Sequence, residues 1–396
     1  MNRMILMWLM CLIGLAGCYR EPLLHLYDME GPRLELPQVE LRLDLYWGIN
    51  WRTNWYYGSD ATGQMDWDNE DKRIFGELEY KEPTQFYLRR YYTGSTPLGH
   101  RIEKKSAFIT GRSFRSTYDW GYWDILAWNE IETLNPNDGQ SIRFNEPASY
   151  DEPVTAETGP SMYPARYHAP RYQNAFYQPE QLFSACQQGI EINENLKGFV
   201  FDEEEKVWVK TLEMPLEPIT YIYLPQIILH NNDGSGQSRI KELASSSANL
   251  SGMARTTNIN TGIAGTDAVA VNFNMRMKYD KTFRKGEIVD IIGGRLMTFG
   301  ICGQNANRVS RAEDSNDSQR HYIDVQVRFN NDMDSTIVFD VTDSIQKYYK
   351  GGVITMELDM KDVPAPKRPG GSGFNAIVKD FEDGGTWEFE MTDKTK

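Results

Sequence analysis

Val39-Glu40-Leu41-Arg42-Leu43-Asp44-Leu45 places apolar and charged residues at strictly alternating positions. Side chains of an extended strand point alternately to opposite faces. A period of two therefore puts Val39, Leu41, Leu43 and Leu45 on one face and Glu40, Arg42 and Asp44 on the other. A strand with one dry and one wet face belongs to an antiparallel sheet whose dry face is covered by a second layer. The same period recurs far along the chain. Val269, Val271, Phe273, Met275 and Met277 alternate with Ala270, Asn272, Asn274 and Arg276. Ile323, Val325, Val327 and Phe329 alternate with Asp324, Gln326 and Arg328, and Ile354, Met356, Leu358 and Met360 with Thr355, Glu357 and Asp359. Trp387, Phe389 and Met391 flank Glu388 and Glu390. Sheets of this kind pack in pairs, so the expected fold is all-β, built of β-sandwiches.

Composition agrees. Hydrophobic residues make up 40% and charged residues 25% of 396 residues, the balance of a folded chain of two or three domains. With 42 Lys+Arg against 56 Asp+Glu, the net charge of −14 excludes nucleic acid as a partner, because phosphate binding needs a basic footprint. Two stretches carry helical signals. In Pro179-Glu180-Gln181-Leu182-Phe183-Ser184-Ala185-Cys186 a proline stands at a first-turn position and Gly189 offers a stop. Thr342 to Lys350 has a Thr cap, an early acid, late lysines and then Gly351. The polar stretch Gln188–Lys206, ending Asp202-Glu203-Glu204-Glu205-Lys206, is the expected domain break, giving sandwiches over 38–200 and 201–396. Seven of the ten tryptophans lie between residues 47 and 128.

The N-terminus speaks to location. One charge at Arg3, an apolar run from Met4 to Leu15 and small residues after it read as a secretory signal peptide over 1–17, too short to span a membrane at about 20 residues. Leu15-Ala16-Gly17-Cys18 looks like a lipobox, in which the Cys18 thiol receives a diacylglyceryl group and the freed amine a further acyl chain. Residues 18–37, with three prolines and no sustained period, read as a lipidated tether. The outer membrane is then a partner through lipid. Cys186 and Cys302 are read as buried free thiols, with a bond between them the less favoured alternative.

The usual catalytic signatures are missing: there is no GxSxG, HExxH, CxxC or phosphate loop. The histidines His25, His100, His168, His230 and His321 stand singly, read as surface or core residues, and no cofactor is expected. Asp66-Trp67-Asp68-Asn69-Glu70 with Glu77 spaces its acids like a calcium loop, but Asp71 stands where the sharp turn demands glycine, so a hydrophilic turn is favoured. Trp47, Trp51 and Trp55 recur every four residues, on one face of a strand. Exposed, they could stack on sugar rings, which makes a glycan-binding protein the alternative function. The favoured reading buries them in the first sandwich together with the second group, Tyr118, Trp120, Tyr122, Trp123 and Trp128.

Several motifs carry a resemblance. They are the lipobox, Trp55-Tyr56-Tyr57-Gly58, Phe176-Tyr177-Gln178-Pro179-Glu180-Gln181-Leu182-Phe183 and Asn249-Leu250-Ser251-Gly252-Met253-Ala254. Gly293-Gly294-Arg295-Leu296 with Thr298-Phe299-Gly300, and Tyr349-Lys350-Gly351-Gly352-Val353-Ile354, complete the set. Over essentially its full length the chain resembles an uncharacterised family of Bacteroides-type surface lipoproteins. That family is similar in turn to the fimbrillin superfamily, in particular its FimB/Mfa-like anchor and minor subunits. The resemblance implies two tandem transthyretin-like sandwiches on a lipidated N-terminus, partners that are fimbrial or other surface subunits, assembly by β-strand donation, and no active site. Stalk subunits of the superfamily are matured by cleavage after an arginine in the first domain. Arg33, Arg52 and Arg89 are the candidates here, but none stands in an identifiable cleavage site, which favours an anchor or accessory role.

Overall fold

The computed structural model describes residues 37–47, 69–76, 79–96, 99–131, 141–147, 153–164, 174–231, 239–283, 286–303, 320–363 and 386–390. The chain starts with β1 (Val39–Trp47), passes a short helix α1 (Asn69–Phe75), and continues through β2 (Gln85–Thr96), β3 (Gly99–Thr110), β4 (Ser113–Tyr118) and β5 (Gly121–Asn129). Four short strands follow: β6 (Ile142–Asn145), β7 (Thr155–Thr158), β8 (Pro160–Pro164) and β9 (Asn174–Tyr177). Then come β10 (Phe183–Ile192), β11 (Val200–Asp202) and β12 (Val207–Pro218).

Eight of these strands form one sheet, in the order β3-β2-β5-β10-β12-β1-β4 with β11 beside β12. It folds over at a corner where β10 and β12 share only Phe183↔Pro218 and Ser184↔Glu217. The two leaves close on Leu41, Leu43, Leu88, Trp123, Ile125, Phe183, Met214 and Leu216, so a single sheet makes the first sandwich. As the alternation predicts, Val39, Leu41, Leu43 and Leu45 are all buried there. The sheet is mixed rather than antiparallel, however: β1 runs parallel to β12 and antiparallel to β4. A long excursion separates β1 from β12, which is what a parallel neighbour requires.

The second sandwich is built from β13 (Tyr221–His230), β14 (Ile240–Ala254), β15 (Thr256–Asn258), β16 (Ala268–Asn274), β17 (Arg276–Thr282), β18 (Ile288–Gly293) and β19 (Leu296–Thr298). It is completed by β20 (Tyr322–Phe329), β21 (Asp334–Asp340), the helix α2 (Thr342–Lys347), β22 (Gly352–Asp359) and β23 (Thr386–Glu390). One sheet has the order β17-β18-β13-β19 with β22 beside β13, and the other β23-β21-β20-β14-β16-β9-β8. Tyr223, Ile227, Leu229, Leu250, Phe273, Phe329, Phe339 and Met356 fill the space between them. The outer face of the smaller sheet is dry as well, because Phe75 of α1 and the half-buried Tyr80 pack on Ile222, Leu224, Ile228, Val289 and Ile291. Asp71 of α1, almost wholly buried, pairs with Lys278 Nζ at 2.6 Å and with Lys281, stapling the helix to β17.

The halves exchange segments. β12 lies beyond residue 200 yet pairs along its length with β1, while β9 lies before it and pairs with β16. β7 stands between β6 and β15 in a three-stranded sheet at the junction, over Leu126, Trp128, Ile219, Ile259 and Phe299. The acidic run expected to break the domains is instead the tight turn between β11 and β12. There Asp202 Oδ1 accepts the backbone N–H of Glu204 at 3.1 Å and of Glu205 at 3.2 Å. The helix expected over 179–186 does not form; Phe183 begins β10. Leu182 N–H donates to Thr220 Oγ1 at 2.9 Å and Phe183 N–H to Asn129 Oδ1 at 2.6 Å, so tertiary partners take the donors that a first helical turn would leave free. The other expected helix forms, but Val341 holds the cap position, and Thr342 instead donates its hydroxyl to Asp340 Oδ1 at 2.6 Å.

Candidate functional site

Of the residues singled out from the sequence, Cys18, Trp51 and Trp55 lie outside the described residues. Trp47 closes β1 opposite Leu216. The second aromatic group is mostly interior. Trp123 meets Tyr118 edge-on at 4.8 Å and Tyr92 at 4.9 Å, and Trp128 stacks at a tilt on Tyr87 and Phe144. Tyr122 is the exception, 53% exposed, with its hydroxyl donating to Glu191 at 3.0 Å. Asp66, Asp68 and Glu77 also fall outside the described residues. Among the described residues no three His, Cys, Asp or Glu side chains are grouped to hold a metal. Cys186 and Cys302 are unbridged thiols, half-buried at the junction; burial, with Asp267 adding to it, pushes the Cys302 thiol up to about 11.

The two described histidine rings differ sharply. His230, at the end of β13, stands between Glu357, 3.3 Å from Nε2, and Glu287, 2.9 Å from Nδ1. Their hydrogen bonds, Glu357 foremost, raise its pKa to about 9 against the effect of burial. His321 is fully buried, and desolvation lowers it to about 4. Its Nδ1 lies 3.1 Å from the carbonyl oxygen of Ser251, in the Asn249–Ala254 motif. Gly252 follows at φ +80°, where an added Cβ would meet Arg320 O and His321 Nδ1 at 2.6 Å. Farther along the same sheet, Asn272 Nδ2 donates to Asn249 Oδ1 and Asn249 Nδ2 to Asp324 Oδ2, each at 3.0 Å. This part of the motif is therefore a buried polar ladder across β16, β14 and β20.

An all-β molecule without such clusters offers its sheet edges as contact sites. Among the described residues β3, β4, β8, β17 and β23 have one neighbour each, as do β6, β11, β15, β19 and β22. Proline stands at both ends of β8. β3 carries Lys105 towards the core, where its Nζ lies over the Trp123 ring at 5.3 Å and 3.4 Å from Asp119. An inward charge of this kind discourages edge pairing. β17 is bulged between Lys278 and Lys281 and pinned to α1. β4 has none of these guards.

Beneath β4 lies a residue that no sequence motif marks. Arg90 of β2 follows Phe86 and Leu88 on the core face of the first sandwich and is only 9% exposed. Its guanidinium carbon lies 5.0 Å from the Phe114 ring centre and 5.6 Å from that of Tyr118. No carboxylate among the described residues pairs with it, and both Arg90 Nε and the Tyr118 hydroxyl are buried without a hydrogen-bond partner. Burial raises the Tyr118 pKa, with Arg90 pulling the other way. The signal was a lone cation in the apolar register of Phe86, Leu88 and Tyr92. Arg89, on the opposite face, is engaged: it forms a two-pronged pair with Glu146 at 2.6 and 2.7 Å.

No protein-family model matches the chain, and no curated protein matches it. Among solved structures it is similar to a candidate adhesin from Bacteroides ovatus, at 14% identity over 83% of this chain and 95% of that one, with a TM-score of 0.44. It is also similar to a fimbrial protein from Bacteroides vulgatus, at 10% identity over 82% and 96% of the two chains, with a TM-score of 0.32. A third is the fimbrial anchor protein Mfa2 from Porphyromonas gingivalis, at 7% identity over 74% and 79%, with a TM-score of 0.30. All three are weak likenesses of chain course.

Proposed function

We propose that the chain is a lipid-anchored structural protein of the cell surface, a fimbrial anchor, minor subunit or adhesin-like component that assembles with other surface subunits by β-strand donation. The observation that carries this reading is β23. It adds in parallel to the end of the larger sheet of the second sandwich, with Thr336↔Thr386 through Asp340↔Glu390 in register. Among the described residues the strand before it, β22, pairs with β13 in the other sheet and not with β23. An edge strand with a single neighbour among the described residues can pair with the same edge of another subunit at little extra cost, since the ladder of main-chain bonds is identical. β1 is paired on both sides, so a membrane attachment through the residues before it would be made to the middle of a sheet.

The test is purification of the tagged full-length chain from membranes. Surface subunits should accompany it, and removal of residues 386–396 should release them. Recovery of a uniform monomer without such partners would sink the reading. Lipidation is tested separately: a Cys18→Ala chain should no longer take up labelled palmitate.

A further inference from the structure

We propose that the free edge of β4 accepts an extended peptide strand of a partner protein, and that an acidic side chain of that strand pairs with Arg90 inside the first sandwich. This names the chemistry of the accepted strand, and for the partner's being a surface subunit it rests on the function proposed above.

β4 stands at the end of its sheet, with β1 its one neighbour among the described residues. Leu45 N–H donates to Arg112 O at 2.9 Å, which sets the phase of the ladder. In that phase Phe114, Ser116 and Tyr118 turn their backbone groups towards β1, and Ser113, Arg115 and Thr117 turn theirs to the open side. Three successive alternate positions thus offer main-chain bonds to an incoming strand of about five residues. Every second side chain of that strand would point to the inner face, where Arg90 lies against the rings of Phe114 and Tyr118.

The charge decides which side chain. A buried guanidinium without a counter-charge is unfavourable, and so is a buried hydroxyl without a partner. Arg90 Nε–H meets no acceptor, and the Tyr118 hydroxyl, whose oxygen lies close enough to the guanidinium for its pKa to be lowered by it, has no acceptor for its own hydrogen. A carboxylate answers both with two acceptor oxygens and supplies the missing charge, whereas an amide brings one oxygen and no charge. Lys105, opposite Arg90 on β3, does not compete, since it is already placed between Asp119 and Trp123. The enclosure favours a slim side chain over a sugar ring, because Arg90 is nine-tenths buried.

The experiment uses the full-length chain in detergent and two capped peptides, acetyl-Thr-Val-Glu-Val-Thr-amide and its glutamine counterpart, titrated calorimetrically. The glutamate peptide should bind at least tenfold more tightly, and Arg90→Gln should erase the difference. Arg90→Met should raise the midpoint of thermal unfolding by a few degrees, because it removes an unpaired buried charge. Equal affinity for the two peptides, failure of the glutamate peptide to bind, or a lowered midpoint for Arg90→Met would overturn the proposal. So would Arg90-dependent binding of an oligogalacturonate in place of the peptide, which would reassign the site to an acidic glycan. The peptide titration involves no membrane and no native partner, so it fails or succeeds apart from the membrane purification that tests the surface role.

Discussion

β1 and β13 hold comparable places, each inside a sheet and each with a parallel neighbour, β12 for the one and β22 for the other. Their faces differ. Along β1 only the odd residues Val39 to Leu45 join the core, and Asp44 and Tyr46 face solvent. Along β13 every residue from Tyr221 to Leu229 is buried. The backbone is the same; what differs is cover. α1 and Tyr80 lie over the outer face of β13, while the outer face of β1 carries a network of charges. The alternating strand and the continuous apolar strand are one element under two conditions of cover.

The contrast can be broken by scanning each strand with alanine. On β1 the cost should alternate: about 2–5 kcal/mol for Leu43→Ala and within about 0.5 kcal/mol for Asp44→Ala. On β13 the outward residue should cost as much as an inward one, so Ile228→Ala, beneath α1, should also lose about 2–5 kcal/mol in urea unfolding. A small loss at Ile228 would mean that α1 does not stay docked.

A smaller effect tests the backbone of the second sandwich. Gly252 brings β14 against the start of β20 at φ +80°, a conformation that an L side chain adopts only with strain. Gly252→Ala should cost about 1–3 kcal/mol and shift the His321 ring resonances. An unchanged stability would show that the strand can relax away from His321.

How far these features could be read beforehand depends on locality. The alternation of β1, β20 and β22 is local, and it declares itself. β13 has no period to read, since a run buried on both faces looks alike as strand or helix. Pro179 to Cys186 carried real helical signals and was overruled by Asn129 and Thr220, which are remote in sequence. The pairing of β1 with β12 rests on contacts made across the whole first half. Arg90 was legible in principle, as a cation out of register, but that it goes unpaired is a fact of three dimensions.

The two histidines extend the comparison to pH, with opposite signs. The folded pKa of His230, about 9, lies above the ordinary value of about 6.5. Its bonds to Glu357 and Glu287 therefore contribute fully below about pH 6.5 and are lost as the pH rises through about 9. His321, lowered to about 4, favours the fold in its neutral form, so its contribution is present above about pH 6.5 and lost as the pH falls towards 4. The melting midpoint of the native chain should fall between pH 6.5 and 9 relative to His230→Gln, by the equivalent of about 1 kcal/mol. Parallel curves for the two chains over that window would mean that the bracket of carboxylates is not formed in solution.

The smallest effect belongs to the wet face of β1. Arg42 and Arg115 stand opposite each other on β1 and β4, an unfavourable pairing of like charges taken alone. The turn between β11 and β12 relieves it. Glu205 lies 3.0 Å from Arg42 and 2.7 Å from Arg115, and Glu40, buried between them, lies 2.7 Å from Arg42 and 3.3 Å from Arg115. Both guanidinium groups are open to water, so salt screens the network, and losses should be slight and dependent on ionic strength. Glu205→Gln should lower the melting midpoint at low salt by less than any change above, and the difference should vanish near 1 M salt. Arg115→Gln removes one of the two like charges along with one of their partners, so it should cost less than Glu205→Gln. If Arg115→Gln costs more, the turn is held to β4 chiefly by Arg115, and the charges on the wet face of β1 do for that sheet what α1 does for β13.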